Sequence, residues 1–142
     1  MNAGRGDHSI EELSHIVLFA DLSRPELREI DRVLEEEFYD AGRRVLRQGI
    51  EGPNFYVIVE GEAAVEVDGV EKGRLSPGDY FGEASLLLGG PPERDVVAVA
   101  GLRCRVLAGV NFERFMLDHP RILYRMLQTQ TFRLFASDRW QD

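Results

Sequence analysis

Residues 54–69, "NFYVIVEGEAAVEVDG", set an apolar run and an alternating run on either side of one glycine. In the second run Val65 and Val67 alternate with Glu66 and Asp68, the period of two that buries one face of a strand and wets the other. Asp68-Gly69 then supplies the positive-φ pair of a type I′ hairpin. The neighbouring stretches "RRVLRQG", "VEKGRL", "SPGDYFG" and "RDVVAVAGLRCRVLAG" continue in short β-rich runs, so that strands fill the chain from Phe38 to Ala108. Gly42, Gly49, Gly52, Gly61, Gly69, Gly73, Gly78 and Gly82 stand where sharp turns are expected. Together these runs predict a mainly β domain, an antiparallel β-roll or jelly roll (double-stranded β-helix).

Helices are expected on both flanks. Ser23-Arg24-Pro25-Glu26 reads as a capping box ahead of a helix over Pro25 to Leu34, whose Leu27, Ile30, Val33 and Leu34 share a face. Upstream, "IEELSHIVLF" suits a shorter helix. Downstream, Asn111 is placed to cap "FERFML", His119-Pro120 breaks that hinge helix, and a tail helix follows from Arg121 to Ser137. The tail carries Ile122, Leu123, Met126, Leu127, Leu134 and Phe135, with Tyr124, Phe132 and Trp140 besides, more apolar surface than one packing stripe needs. The expected plan is one domain over 1–142: a helical head over 1–35, the roll over 36–109, and hinge and lid helices over 110–142.

Composition narrows the function. Seventeen basic residues against 25 acidic ones give a net charge of −8, which repels phosphate polymers and argues against a nucleic-acid partner. The arginines at 43, 44, 47, 103 and 105 read as solvated surface. No apolar run approaches the roughly 20 residues of a membrane span, and the first 15 residues lack a signal peptide's apolar region. A cytoplasmic protein without membrane association is the expectation. The lone Cys104 reads as an inward strand residue, and three scattered histidines give no metal spacing. Nucleophile elbows, Cys/His pairs in register and triphosphate-binding loops are missing, so an enzyme is not expected.

One stretch points to a ligand: "FGEASLLLGGPPERDVVAV", residues 81–99. A strand ending at Tyr80-Phe81 runs through Gly82 and Glu83 into an apolar turn, Ala84 to Leu88, whose first amide hydrogens lack helical partners. An anion there meets backbone N–H groups, and Arg94, returning on the next strand, adds a forked charge-assisted pair. Glu83 suits a hydroxyl donor on the same ligand. Together these groups suggest a sugar phosphate, with Leu86 to Leu88 in the core.

The chain resembles the cyclic-nucleotide-binding domains of catabolite-activator-like regulators and kinase regulatory subunits. Five stretches, "LFADLSRPELREI", "FYDAGRRVLRQG", "FYVIVEGEAAV", "LSPGDYFGEASLL" and "FERFMLDHP", follow the family's order of head helix, paired-glycine strands, phosphate cassette and hinge helix. The resemblance implies a cassette over 81–95, with Phe81, Gly82, Ala84 and Ser85 at the ligand, Glu83 on the ribose hydroxyl and Arg94 on the cyclic phosphate. It also implies a small regulatory module for a cyclic purine nucleotide, cyclic AMP foremost, with no further cofactor. The tail helix is then a lid that signals to a partner or a second copy, since no helix-turn-helix follows it; the alternative is a ligand-free domain of the same fold acting through protein contacts. The cassette loop is longer than the family's by one or two residues, and Asp95 stands where the family has a small or hydroxyl residue. Asp95 is expected to compete for the Arg94 guanidinium and weaken cyclic AMP, or to accept from a guanine edge and favour cyclic GMP.

Overall fold

The computed structural model of the protein describes residues 3–50 and 53–141. Helix α1 (Ala3–Ser14), a 3-10 turn (Val17–Phe19) and α2 (Arg24–Val33) form the head. Eight strands follow: β1 (Glu35–Tyr39), β2 (Arg44–Leu46), β3 (Phe55–Glu60), β4 (Ala63–Val67), β5 (Val70–Leu75), β6 (Tyr80–Phe81), β7 (Asp95–Ala98) and β8 (Leu102–Leu107). Helix α3 (Glu83–Leu88) interrupts them between β6 and β7, and α4 (Phe112–Asp118) and α5 (Pro120–Gln141) close the chain. The strands form two antiparallel sheets, in the orders β1-β8-β3-β6 and β2-β7-β4-β5.

The first sheet is covered on both faces. Phe55, Val57, Tyr80 and Leu107 pack outward with Ile10, Leu13, Phe19, Leu27, Ile30 and the α4 and α5 side chains. Tyr56, Ile58, Phe81, Leu102, Cys104 and Val106 pack inward against Leu46, Ala63, Val96 and Ala98 of the second sheet. Burial of both faces is why "FYVI" is a continuous apolar run rather than an alternating one. The alternation of β4 is softer than its sequence implies: Val65, Glu66 and Val67 are all half-buried.

The capping box at Ser23 forms with both its bonds, and the helix it starts runs Arg24–Val33. Leu27, Ile30 and Leu34 are buried, whereas Val33 is exposed. Asp68 and Gly69 both have positive φ in the β4–β5 turn, as the hairpin requires. Gly73 lies within β5 beside a register shift rather than in a turn, and Gly52 falls outside the described residues. Asn111 precedes α4 without a side-chain cap bond. Cys104 is fully buried, and that burial pushes its thiol up to about 12, so it is inert packing.

Two arginines expected at the surface are structural. Arg105 is 5% exposed and holds Asp31 Oδ1 (2.9 Å), Ser9 Oγ (3.0 Å), and the Asp31 and Leu34 carbonyls (2.8 and 2.6 Å). Arg103 pairs with Glu12 of α1 and with Glu36 of β1 (2.6 Å). Both lie on the face of β8 that the head helices cover, so their charges sew head to sheet.

Asp21, between the 3-10 turn and α2, ties the head to α5. It accepts from Arg125 Nε (2.7 Å), Arg125 Nη2 (2.9 Å) and Arg121 Nη2 (3.1 Å). The Arg125 hydrogen bonds, with those of Arg121, hold the Asp21 carboxyl down to about 2, against an ordinary 3.8. A depressed folded-state pKa means that this contact's stabilisation is complete above pH 3.8 and is lost as pH falls through about 2. A carboxyl NMR titration is expected to place the Asp21 midpoint near 2. A midpoint at the ordinary value would show that the α5 latch is open in solution.

Candidate functional site

The cassette begins where β6, hydrogen-bonded to β3, delivers the chain to Gly82. Gly82 has φ +91°, and a Cβ there would lie 2.2 Å from the Asn54 carbonyl oxygen. Only glycine fits, both for its backbone and for its space. Gly82→Ala is expected to destabilise the fold by about 2 kcal/mol or more, combining left-handed strain with displacement of the Asn54 backbone. A chemical melt of the variant checks this, and wild-type stability would mean that the Asn54 strand end moves freely.

Glu83 starts α3 and is 8% exposed despite its charge. Its Oε2 is 3.3 Å from Gln130 Nε2 and 3.7 Å from Arg133 Nη1, both on α5. Both contacts fall on one oxygen; no bond to Oε1 is formed among the described residues. The same α5 side chains engage β6. Tyr80 OH donates to Gln130 Oε1 (2.8 Å), and the Arg133 guanidinium lies 4.8 Å from the centre of the Tyr80 ring. Burial pushes the Tyr80 hydroxyl up to about 12, which keeps it a neutral donor. Helix α5 therefore touches the cassette directly.

Sequence reading missed Gln130 and Arg133. They extend the buried stripe Ile122–Met126 at helical spacing, so a polar pair on a packing face was the available signal. Among the aromatic residues of the tail, Tyr124, Phe132 and Phe135 are exposed, and the side chain of Trp140 lies outside the described residues. Leu127 and Leu134 are exposed as well.

Phe81 is buried in the roll core, stacked on Tyr56 at 4.6 Å. Ala84 is exposed, Ser85 half-buried, and the Ser85 carbonyl accepts from Gly89 N–H (2.7 Å) to end α3. Leu86 packs on the helical core, but Leu87 and Leu88 do not: Leu88 is 87% exposed. A six-residue helix turns through all directions, so a leucine run of three cannot all face inward.

Arg94 stands just before β7, in the bend that leads into it. It is exposed and forms no ion pair or side-chain hydrogen bond among the described residues. Asp95 begins β7, on the parity opposite to the inward-facing Val96 and Ala98. Its Oδ1 accepts from Gln48 N–H (2.6 Å) and its Oδ2 from Arg44 Nη1 (2.8 Å). The Asp95 carboxylate is thus bonded to Arg44 and to Gln48 N–H, and forms no contact with Arg94 among the described residues.

No group of three or more His, Cys, Asp or Glu side chains among the described residues is disposed to hold a metal. A separate cleft of about 260 Å³, lined by Glu35, Glu37, Asn54 and Asn111, is acidic and contains no cassette residue. No helix among the described residues is long and apolar enough to cross a membrane.

The chain is 38% identical over 108 residues to a cAMP-dependent protein kinase regulatory subunit of Mucor circinelloides f. lusitanicus, covering 73% of this chain and 25% of that protein. It spans about a quarter of that relative's length. Cyclic-AMP-bound PfPKA-R superposes with a TM-score of 0.78 at 25% identity, over 96% of this chain and 48% of that one. The regulatory subunit of a cAMP-independent protein kinase A from Trypanosoma brucei shares the fold, with a TM-score of 0.79 at 21% identity over 95% and 50% of the two chains. These relatives are regulatory proteins rather than enzymes. The cyclic nucleotide-binding domain model matches residues 36–119, more than half the sequence and all of the roll with its hinge helix, and the chain belongs to that family.

Proposed function

We propose that this chain is a regulatory domain that binds a cyclic purine nucleotide, cyclic AMP first, and passes occupancy of the site to α5. One observation carries the reading: Glu83, the carboxylate suited to a ribose hydroxyl, touches Gln130 and Arg133 of α5 through Oε2 alone. Oε1 can then accept from the ligand while Oε2 keeps the helix informed. The cAMP-dependent relative and the cAMP-bound neighbour support cyclic AMP as the ligand. The outward turn of Asp95 removes the carboxylate that a guanine edge would have used, which ranks cyclic GMP second. Cyclic phosphate goes to Arg94, with Gly82, Ala84 and Ser85 as the cassette backbone. The exposed Tyr124, Leu127, Phe132, Leu134 and Phe135 of α5 offer the surface for a second copy or an effector protein. A cytoplasmic setting is part of the proposal, in keeping with a single cysteine left unpaired.

Thermal melts with cyclic AMP and cyclic GMP test the reading. A ligand at 100 times its dissociation constant stabilises by about 2.7 kcal/mol. Arg133→Ala is expected to weaken cyclic AMP about three- to tenfold, because it leaves Gln130 as the one described contact of α5 with Glu83 and Tyr80. A second reading, a ligand-free scaffold for protein contacts, is favoured by the exposed α5 face and by the cAMP-independent relative of the same fold. It wins if neither nucleotide shifts the melt while light scattering shows a dimer that Leu127→Glu dissolves.

A further inference from the structure

The β2–β7 ladder is irregular between Arg44 and Leu46 and ends with Leu46 opposite Val96. Past that point the chain at 47–50 has left the strand, yet it stays fastened to the cassette at two places. Gln48 N–H donates to the Asp95 side chain (2.6 Å), and Gly49 N–H donates to the Pro92 carbonyl (2.9 Å). The Asp95 carboxylate thus continues a ladder that the backbone has abandoned.

Both of its oxygens are used. Oδ2 accepts from Arg44 Nη1, which also holds Glu66 Oε1 at 3.0 Å. Glu66 and Asp95 are opposite one another in the β4–β7 register, and the shared guanidinium turns a like-charge pair into a bridge. Gln48 is itself fixed from the other side: its amide exchanges hydrogen bonds with Asp68 at the β4–β5 turn (3.0 and 3.1 Å). Two donors therefore meet on the Asp95 carboxylate, Arg44 Nη1 and Gln48 N–H, and each residue is held from its other side, Arg44 by Glu66 and Gln48 by Asp68.

Arg94 lies between the two fastened residues, Pro92 and Asp95. The loop that leads to it contains Gly89 and Gly90, both at positive φ, and forms no strand or helix. An arginine at the end of a free loop would pay the ordering entropy of that loop on gripping an anion. We propose that Asp95 is a positioning residue for Arg94: by tying residues 44 and 48 to the start of β7, it presents Arg94 to the cyclic phosphate with the longer cassette loop already ordered. This rests on the reading of Arg94 as the phosphate-binding residue. It predicts the opposite of electrostatic repulsion, since the carboxylate's negative charge is spent on Arg44 on the outer face of the sheet.

The experiment compares wild type, Asp95→Ala and Asp95→Asn by calorimetric titration with cyclic AMP and by amide hydrogen exchange without nucleotide. Asp95→Ala is expected to bind about tenfold more weakly and to exchange faster at Gln48, Glu93 and Arg94. Asp95→Asn is expected to stay within about threefold of wild type, because its amide oxygen still accepts from Gln48 N–H. Equal or tighter binding by Asp95→Ala, or binding by Asp95→Asn more than about threefold tighter than wild type, overturns the proposal and makes Asp95 neutral or repulsive. If Asp95→Ala does not fold, Asp95→Asn decides by the same two measurements. Wild type that binds neither cyclic AMP nor cyclic GMP sinks the functional reading instead; the exchange data then stand alone, and unchanged rates at Gln48 and Arg94 in the variants sink the clamp too.

Discussion

Arg94→Ala is expected to lower cyclic AMP affinity by a hundredfold or more while leaving the nucleotide-free melt where it was. The two halves of that result have separate causes. Arg94 is exposed and unpaired among the described residues, so its removal strips no contact from the fold and belongs with surface changes worth within about 0.5 kcal/mol. A bound cyclic phosphate is different: a guanidinium fork makes two charge-assisted hydrogen bonds to it, each worth about 1.5–3 kcal/mol. Losing the pair removes about 3 kcal/mol or more, and 1.4 kcal/mol is tenfold in affinity. Arg94→Lys is expected to fall between, because an ammonium keeps the charge and loses the fork. Titration of the three proteins against cyclic AMP gives the answer, and equal affinity in Arg94→Ala would show that the phosphate site lies elsewhere or is not used.

What the sequence made legible is what local rules govern. The capping box at Ser23, the positive-φ pair at Asp68-Gly69 and the His119-Pro120 break each depend on a few adjacent residues, and each forms as read. The inward side of β8 was legible for the same reason: Leu102, Cys104 and Val106 alternate. Its outward side was not. Arg103 and Arg105 alternate with those residues as solvent-facing charges would, and nothing local announces that α1 and α2 lie on top of them. The acids that meet them, Glu12, Asp31 and Glu36, are about 70 to 90 residues away in the chain.

The candidate site divides in the same way. Gly82, Glu83 and Arg94 stand out as a spaced pattern, and the structure puts Gly82 in the one conformation that only glycine takes easily. Leu87 and Leu88 misled because hydrophobicity says nothing about which way a single helical turn points. Asp95 misled because its partners are distant in sequence: its carboxylate goes to Arg44 and to Gln48 N–H, which the β2–β7 pairing brings to it. Gln130 and Arg133 were hidden among louder aromatic residues; their importance lies in Glu83 and Tyr80, which only the docking of α5 brings to them.

Arg105→Met is expected to destabilise the protein by about 3–5 kcal/mol, the scale for breaking a buried ion pair by removing one partner. The cost is set by what remains behind. Asp31 keeps a carboxylate with Ser9 as its only other described partner, and the Leu34 carbonyl, at the end of α2, loses its donor in a buried setting. Methionine restores the volume and the apolar stem but none of the four hydrogen bonds. The pair is not perfect even in the wild type, because Arg105 Nε is buried without a partner among the described residues. A double replacement, Arg105→Met with Asp31→Leu, is therefore expected to recover much of the loss, since it removes the stranded charge and the imperfectly satisfied cation together. Urea unfolding reads both variants as shifts in midpoint at unchanged slope. If the double variant is as unstable as the sum of its single changes, Arg105 and Asp31 are not coupled, and their ion pair does not hold the head helices to the first sheet.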